Sequence, residues 1–566
     1  MGFPALTATT EPGVSIIVVL VVLALAFLLP KSSERFFRVV ENVFCSLAQR
    51  KRLAVFVLFC AVVAVRLVLL PLLHVPNPGI HDEFSYLLMG DTFAHGRLAN
   101  PPHPMWPSFE TFHVLWLPTY ASKYPPVQGM VLALGELLGQ PWIGVLLSAA
   151  AMCAAIVWAL QAWMPSRWAF LAGVLAATRL AVACYWMNSY WGGAVAAIGG
   201  ALVVGALGRL LRRAEVSNAI VLAVGVAILL NSRPYEAVFF CVPLAVVFFS
   251  WLIGKSKSAS TLRQRWRLVV LPAVAILLGT LSWMGYYDWR VTGNPIVTPY
   301  AVSLRTYDAG ALFVWQQPKP PKHYDNLELD VFYNGFQRGH YQRTWKDLRS
   351  VSVEKLMRCN VVFAWPALLL VLPALLFVAR DKRIRLLGLT LLAVLVGFSL
   401  TTWSNPHYIA PVTCLIFGLV VQGLRHMRTV NVRGRPIGAA ISRAVVLALL
   451  VEATLLAANR VSDPLGWGGW GLSDRADIQR ILQAKPGKHL VMVRYIGHHS
   501  IHEEWVYNGA DIDNSKIVWA RDLDPKQNAK LFAYFKERTI WLVEPGEDST
   551  PLLPYRQGAS HSTPEF

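Results

Sequence analysis

The chain has 566 residues, 55% of them hydrophobic and 15% charged, with 21 tryptophans and a formal net charge of +19. So apolar a composition excludes an ordinary soluble domain and indicates a polytopic membrane protein. The positive charge is not a nucleic-acid footprint, because it is gathered into a few clusters between apolar runs.

Those runs come close to the roughly 20 residues that cross a bilayer and predict about twelve transmembrane helices. They lie near 14–30, 53–73, 142–163, 168–185, 193–208, 218–232, 238–253, 268–287, 356–378, 386–403, 408–424 and 444–459. The first has Glu11 ahead of it, Lys31 behind it and no basic segment before it, so it reads as an anchor helix rather than a cleaved signal peptide. Basic residues cluster at 31–52, 209–213, 255–267, 380–385 and 425–443, each time after an odd-numbered helix. Positive loops stay in the cytoplasm. The loops 74–140 and 288–355, the turns near 186–192, 231–237 and 404–407, and the segment 460–566 are then expected outside. This divides the chain into an anchor and basic cytoplasmic segment (1–52), a transmembrane body (53–459) and an extracytoplasmic α/β domain (460–566). The seven cysteines lie mostly in apolar runs and form no disulfide or metal framework.

In chain order, the first polar feature is HDEFSYLLMGDTFAHGRL, residues 81–98, which opens on the adjacent acids Asp82 and Glu83. Asp82 can cap the helix that follows, since acids are favoured at a helix N-terminus. Phe84, Leu87, Leu88 and Phe93 amid Ser85, Asp91 and Thr92 predict a helix lying on the membrane surface. It would hold Asp82 at the level of the lipid head groups. ASKYPPVQG places Lys123 and Tyr124 at the end of the same outer loop. NSRPYE places Arg233, Tyr235 and Glu236 in a short outer turn, where Glu236 needs a partner and Arg233 is the nearest. The loop 288–355 adds Arg305, Tyr307 and Asp308, and its stretch QQPKPPKHYDN (315–325) is Pro-rich and extended. SNPHYIAP adds His407 and Tyr408. Cations and phenols converging on one membrane face suit a phosphate. The alternative for each taken alone is an interfacial anchor. Arg66 and Arg179, inside apolar runs, have no evident role.

The tail alternates helix and strand: RADIQRILQA, HLVMVRYIG, KIVWARD, PKQNAKLFAYFKE and TIWLVEP. That order predicts βαβ units in a parallel sheet, without a glycine-rich phosphate loop. GHHSIHEE sets His498 and His502 four apart, with His499 between them. On a helix the pair could share a metal ion, but a polar loop is the simpler reading.

These motifs resemble the GT-C superfamily of integral-membrane glycosyltransferases, in particular the protein O-mannosyltransferases and the lipid A aminoarabinose transferase. Such families carry an Asp-Glu-x-x-Tyr element in the first outer loop, here Asp82-Glu83-Phe84-Ser85-Tyr86, closing with Gly96-Arg97-Leu98. A Lys-Pro-Pro-like element follows, here Lys123-Tyr124-Pro125-Pro126 with one extra residue. His407-Tyr408-Ile409-Ala410-Pro411 is similar to their late basic-Tyr-x-x-Pro element. The resemblance spans residues 53 to about 424 and leaves the tail uncovered.

It implies a polyprenyl-phosphate sugar as donor, a glycolipid, polysaccharide or protein hydroxyl as acceptor, and membrane lipid as surroundings. It also implies Asp82 as the catalytic base and Glu83 as a supporting acid. Lys123, Tyr124, Arg233, Tyr235, Glu236, Arg305, His407 and Tyr408 are then candidates for holding the donor. A divalent metal ion bridging Asp82 and the phosphate is compatible with this chemistry, though no metal-specific spacing marks one. The expected setting is a bacterial inner membrane, with the site on the periplasmic side. A lipid or saccharide transporter should instead place ionisable groups at helix centres, in two matched halves. An accessory subunit would leave the acid pair without a role.

Overall fold

A computed structural model describes residues 34–254, 261–340, 342–363, 384–431, 434–462, 473–496, 499–546 and 550–556, with Ile17, Leu20, Val21, Ala24, Val371 and Asp381 besides. The expected span at 14–30, and the part of the span at 356–378 beyond residue 363, lie largely outside the described residues. The first part of the chain forms α1 (Glu34–Gln49), α2 (Lys51–Val68) and α3 (His81–Ala94). A two-stranded hairpin follows, β1 (Val114–Leu115) and β2 (Ala121–Ser122). Then come α4 (Pro126–Leu137), α5 (Pro141–Leu160), α6 (Ser166–Leu180), α7 (Ala194–Leu210), α8 (Val216–Leu230) and α9 (Pro234–Ile253). Helix α10 (Leu262–Thr292) is continuous through a π turn. Past α11 (Pro299–Thr306) come α12 (Leu348–Phe363), α13 (Arg385–Ser399), α14 (Thr413–Met427) and α15 (Ile437–Ser462). A 3-10 turn, Pro406–Val412, leads into α14.

Among the described residues, five helices are long and apolar enough to cross a bilayer, and α7, α8 and α13 are shorter apolar helices. The chain is an integral membrane protein. Its core runs through α5, α6, α7 and α14, where small residues allow close approach. A Cβ at Gly200 of α7 would stand 1.9 Å from the Pro411 carbonyl oxygen, so glycine is required for that contact.

The two arginines in apolar runs, Arg66 buried and Arg179 half-buried, are ties between segments. Arg66 donates to Asn188 Oδ1 at 3.0 Å and to the His74 carbonyl at 3.2 Å, and lies over the Trp142 ring. Arg179 donates to the Val361 and Val362 carbonyls of α12. In both cases a guanidinium satisfies carbonyl or amide oxygens that lipid cannot.

The C-terminal segment carries α16 (Ser473–Ala484), β3 (Lys488–Val493), β4 (Ile517–Arg521), α17 (Pro525–Tyr534), β5 (Arg538–Val543) and β6 (Leu553–Pro554). The sheet order is β4-β3-β5-β6, with the first three strands parallel and β6 antiparallel at the edge. Leu490 of β3 pairs with Val518 and Ile540, and β3 is buried along almost its whole length. Such a run, apolar on both faces, is what a central parallel strand needs.

The sheet is clamped to the first outer loop. Phe84 and Leu88 of α3, with Phe109, Val114 and Trp116, share one apolar core with the strands of the sheet. Phe84 stacks on Tyr507 at 4.4 Å between ring centroids. Helix α3 therefore does not lie on lipid as its sequence predicted. Its apolar side is covered by protein, and residues on every side of it are buried.

Candidate active site

The N-cap of α3 is Ile80, in extended backbone, which has no side-chain acceptor to offer. Glu83 supplies what is missing. One of its oxygens accepts from Gly79 N at 2.8 Å and Ile80 N at 3.3 Å, and the other from Tyr190 N at 2.9 Å. The cap expected of Asp82 thus falls to its neighbour, whose carboxylate reaches back from N3. Burial pushes the Glu83 carboxyl up to about 7, against the lowering effect of those three N–H groups.

Asp82, on the first turn, faces the other way, into a cavity of about 400 Å³. Tyr124 donates its hydroxyl to Asp82 Oδ1. Burial raises the Asp82 carboxyl above its ordinary value, while the Tyr124 hydrogen bond and the charges of Lys123 and Arg233 pull it back.

Lys123 is held in place by the hairpin, its N–H donating to the His113 carbonyl at 3.2 Å. Its ammonium is buried between the rings of Tyr124 and Tyr300, at 5.5 and 5.3 Å. Arg233 stands at the N-cap of α9 with its guanidinium over the Tyr408 ring at 4.6 Å. Arg233 and Glu236, expected as partners, act on each other through their charges but make no salt bridge among the described residues. His407 is buried against Trp191, with Tyr185 Oη 3.1 Å from its Nδ1. Glu236 also lines the cavity.

Two of the sequence candidates are placed differently. Tyr235 lines the cavity, but its hydroxyl is committed to the Gly397 carbonyl at 2.9 Å. Arg305 is on the exposed side of α11 and outside the cavity, while Tyr300 at the start of that helix lines it. The structure adds Tyr86, His113, Asp288 and Tyr300 to the lining. Tyr86 had a signal, being one helical turn beyond Asp82. The other three lie in loop or helix-end positions with no periodic mark.

The groups acting directly on Asp82 are Tyr124, Lys123 and Arg233, and its cavity brings no three metal-ligating side chains together among the described residues, so the donor set about Asp82 does not fit a resident divalent cation. Among the described residues, the one group of three ligands within reach of a single ion is Asp91, His95 and Glu136, which does not line this cavity. Of the tail histidines, His498 lies outside the described residues. His499 stacks on Tyr495 and His502 packs edge-on against Phe336, in a turn rather than a helix.

Three carboxylates (Asp82, Glu236 and Asp288), the cations Lys123 and Arg233 and aromatic walls line the Asp82 cavity, and the two cations on an apolar wall suit an anionic group carried on an apolar chain.

No protein-family model and no curated protein matches the sequence. By structure the chain is similar to ArnT from Cupriavidus metallidurans in the apo state, at 16% identity and a TM-score of 0.50, over 87% of this chain and 93% of that one. The same protein bound to undecaprenyl phosphate gives 15% identity and a TM-score of 0.48, over 86% and 92%. The Archaeoglobus fulgidus oligosaccharyltransferase tethered with an acceptor peptide gives 10% and 0.40, over 86% and 68%. At such identities what is shared is the fold. The chain shares the fold of that apo ArnT structure.

Proposed function

We propose that the protein is a glycosyltransferase that moves a sugar from a polyprenyl-phosphate donor to a hydroxyl acceptor at the outer face of the membrane. The observation that carries this reading is Asp82, Lys123 and Arg233 lining one cavity whose other walls are largely aromatic and apolar. Asp82 is the base. As the acceptor oxygen attacks the anomeric carbon, its proton passes to the Asp82 carboxylate. The bond from that carbon to the phosphate oxygen breaks, and the phosphate keeps the electron pair. Lys123 and Arg233 stabilise the charge gathering there. A single in-line displacement inverts the anomeric centre, and Asp82 returns its proton to water. Tyr124 fixes the carboxylate's orientation, and Glu83 fixes the helix turn that carries it.

Orientation follows from the charged ends. Lys51, Arg212 and Arg425 lie together beside Gln161, just past the end of α5, whereas Leu87 and Asp91 of α3 line a pocket with Pro141 at its start. With positive residues inside, the Asp82 cavity and the C-terminal sheet face the periplasm of a bacterial inner membrane. The acceptor is a glycolipid, a polysaccharide or a protein hydroxyl.

The test is mass spectrometry of envelope glycolipids and polymers from a strain lacking the protein, complemented with wild type or Asp82→Asn at matched expression. A sugar should be missing, return with wild type and stay missing with Asp82→Asn. Full restoration by Asp82→Asn overturns the reading.

A further inference from the structure

His113 is the one residue other than glycine, among the described residues, with a positive φ, 63°. A left-handed backbone is unfavourable for a residue with a side chain and persists where its surroundings enforce it. Here the His113 carbonyl is gripped from two sides. Ser85 Oγ donates to it at 2.7 Å from α3, and Lys123 N donates to it at 3.2 Å. The imidazole lines the Asp82 cavity and is 5% exposed. Nδ1 is fully enclosed without a hydrogen-bond partner, which leaves Nε2 as the nitrogen a ligand in the cavity can reach. A polar side chain that well buried ordinarily finds a partner. His407, the other histidine of the cavity, has Tyr185.

Burial, with Lys123 in front and His81 and His502 behind, holds the His113 imidazole neutral, well below its ordinary value. A neutral imidazole brings no charge to a phosphate. Its Nε2 can donate to a hydroxyl group or accept from one, according to the tautomer. Its ring is 5.9 Å from that of Tyr124, the residue that holds Asp82, and Lys123 stands opposite it across the hairpin. A sugar attached to a phosphate held by Lys123, with its anomeric carbon near Asp82, lies against this wall.

We propose that His113 binds a hydroxyl of the donor sugar and so helps determine which sugar is accepted. This rests on the polyprenyl-phosphate reading. It assigns the recognition of sugar and phosphate to different residues, the first to His113 and the second to Lys123 and Arg233.

Binding to the purified full-length protein separates the two. The probes are undecaprenyl phosphate alone and undecaprenyl phosphate carrying glucose, mannose, galactose or aminoarabinose. The variants are His113→Gly, which accepts a positive φ and removes the ring, and His113→Asn, which tolerates the same backbone and keeps a small hydrogen-bonding group. Both should elute as folded protein with the melting temperature of wild type or above it. Wild type should bind one sugar-bearing lipid more tightly than the bare lipid. His113→Gly should lose about tenfold on that lipid and keep its affinity for the bare one, with His113→Asn between. Equal losses on both lipids, or no loss on either, overturn the proposal, as does a wild type without preference for any sugar-bearing lipid. If wild type binds no undecaprenyl phosphate at all, the donor reading itself fails.

Discussion

The Asp82 carboxyl feels burial on one side and a phenol and two cations on the other, and the balance decides at what pH it can take a proton. A base works deprotonated. Because burial wins, the acid limb of kcat/KM should lie above the ordinary carboxylate range, with activity rising as pH rises through it. Tyr124→Phe removes a hydrogen bond that lowers the Asp82 pKa, so that limb should move further up; a pH–rate profile that stays put or moves down contradicts the assignment. Asp82→Asn should cut turnover by about 10²- to 10⁴-fold while bare undecaprenyl phosphate still binds. Glu83→Gln tests the other acid. Glu83 uses both oxygens to accept N–H groups, and an amide has only one oxygen to offer. The variant should lose about 1–3 kcal/mol of stability, read as a lower melting temperature in detergent. An unchanged melting temperature would remove Glu83 from this role. The pair was visible in the sequence as two acids after an apolar run. Their division of labour was not, since it depends on the N–H of Tyr190, 107 residues further on.

At the scale of elements, the apolar runs of the sequence coincide with helices wherever the residues are described, because lipid leaves the backbone little other choice. Helix α3 was misread for a related reason. Its phenylalanines and leucines need covering, and composition does not say whether lipid or protein covers them. The cover is Tyr507 and its neighbours, which no local pattern connects to residue 84. The turn that carries His407 and Tyr408 depends in the same way on Gly200 of α7. Gly200→Ala should push Pro411 away, lower both melting temperature and transfer activity, and cost about 1–3 kcal/mol. Gly388→Ala on α13, where an added Cβ meets nothing within 4 Å, is the control and should be neutral or slightly stabilising. Equal effects from the two substitutions would show that helix propensity, not the close contact, is being measured.

Across the whole molecule, the outer loops and the C-terminal sheet are joined by one buried ionic network. Arg521 of β4 pairs with Glu504 at 2.6 Å, both almost fully buried, and also donates to the Glu110 carbonyl at 3.0 Å in the first outer loop. Tyr307, from the second loop, donates to Glu110 Oε1 at 2.9 Å. Removing one partner of a buried pair strands the other charge, which costs about 3–5 kcal/mol. Glu504→Gln should therefore loosen the sheet from the loops and expose sites after residue 460 to limited proteolysis. A digestion pattern identical to wild type would show that the apolar contacts alone hold the two together.

Those contacts also fix an order of events. Tyr120 of the first outer loop donates its hydroxyl to the Asn508 carbonyl, 388 residues later in the chain, and Phe84 waits longer still for Tyr507. Synthesis runs from the N-terminus and segments fold as they become available. The first loop is thus delivered early and must stand unfinished while the following helices are inserted, until the last hundred or so residues arrive to close over it. The helix bearing Asp82 is made well before the residues that make it rigid.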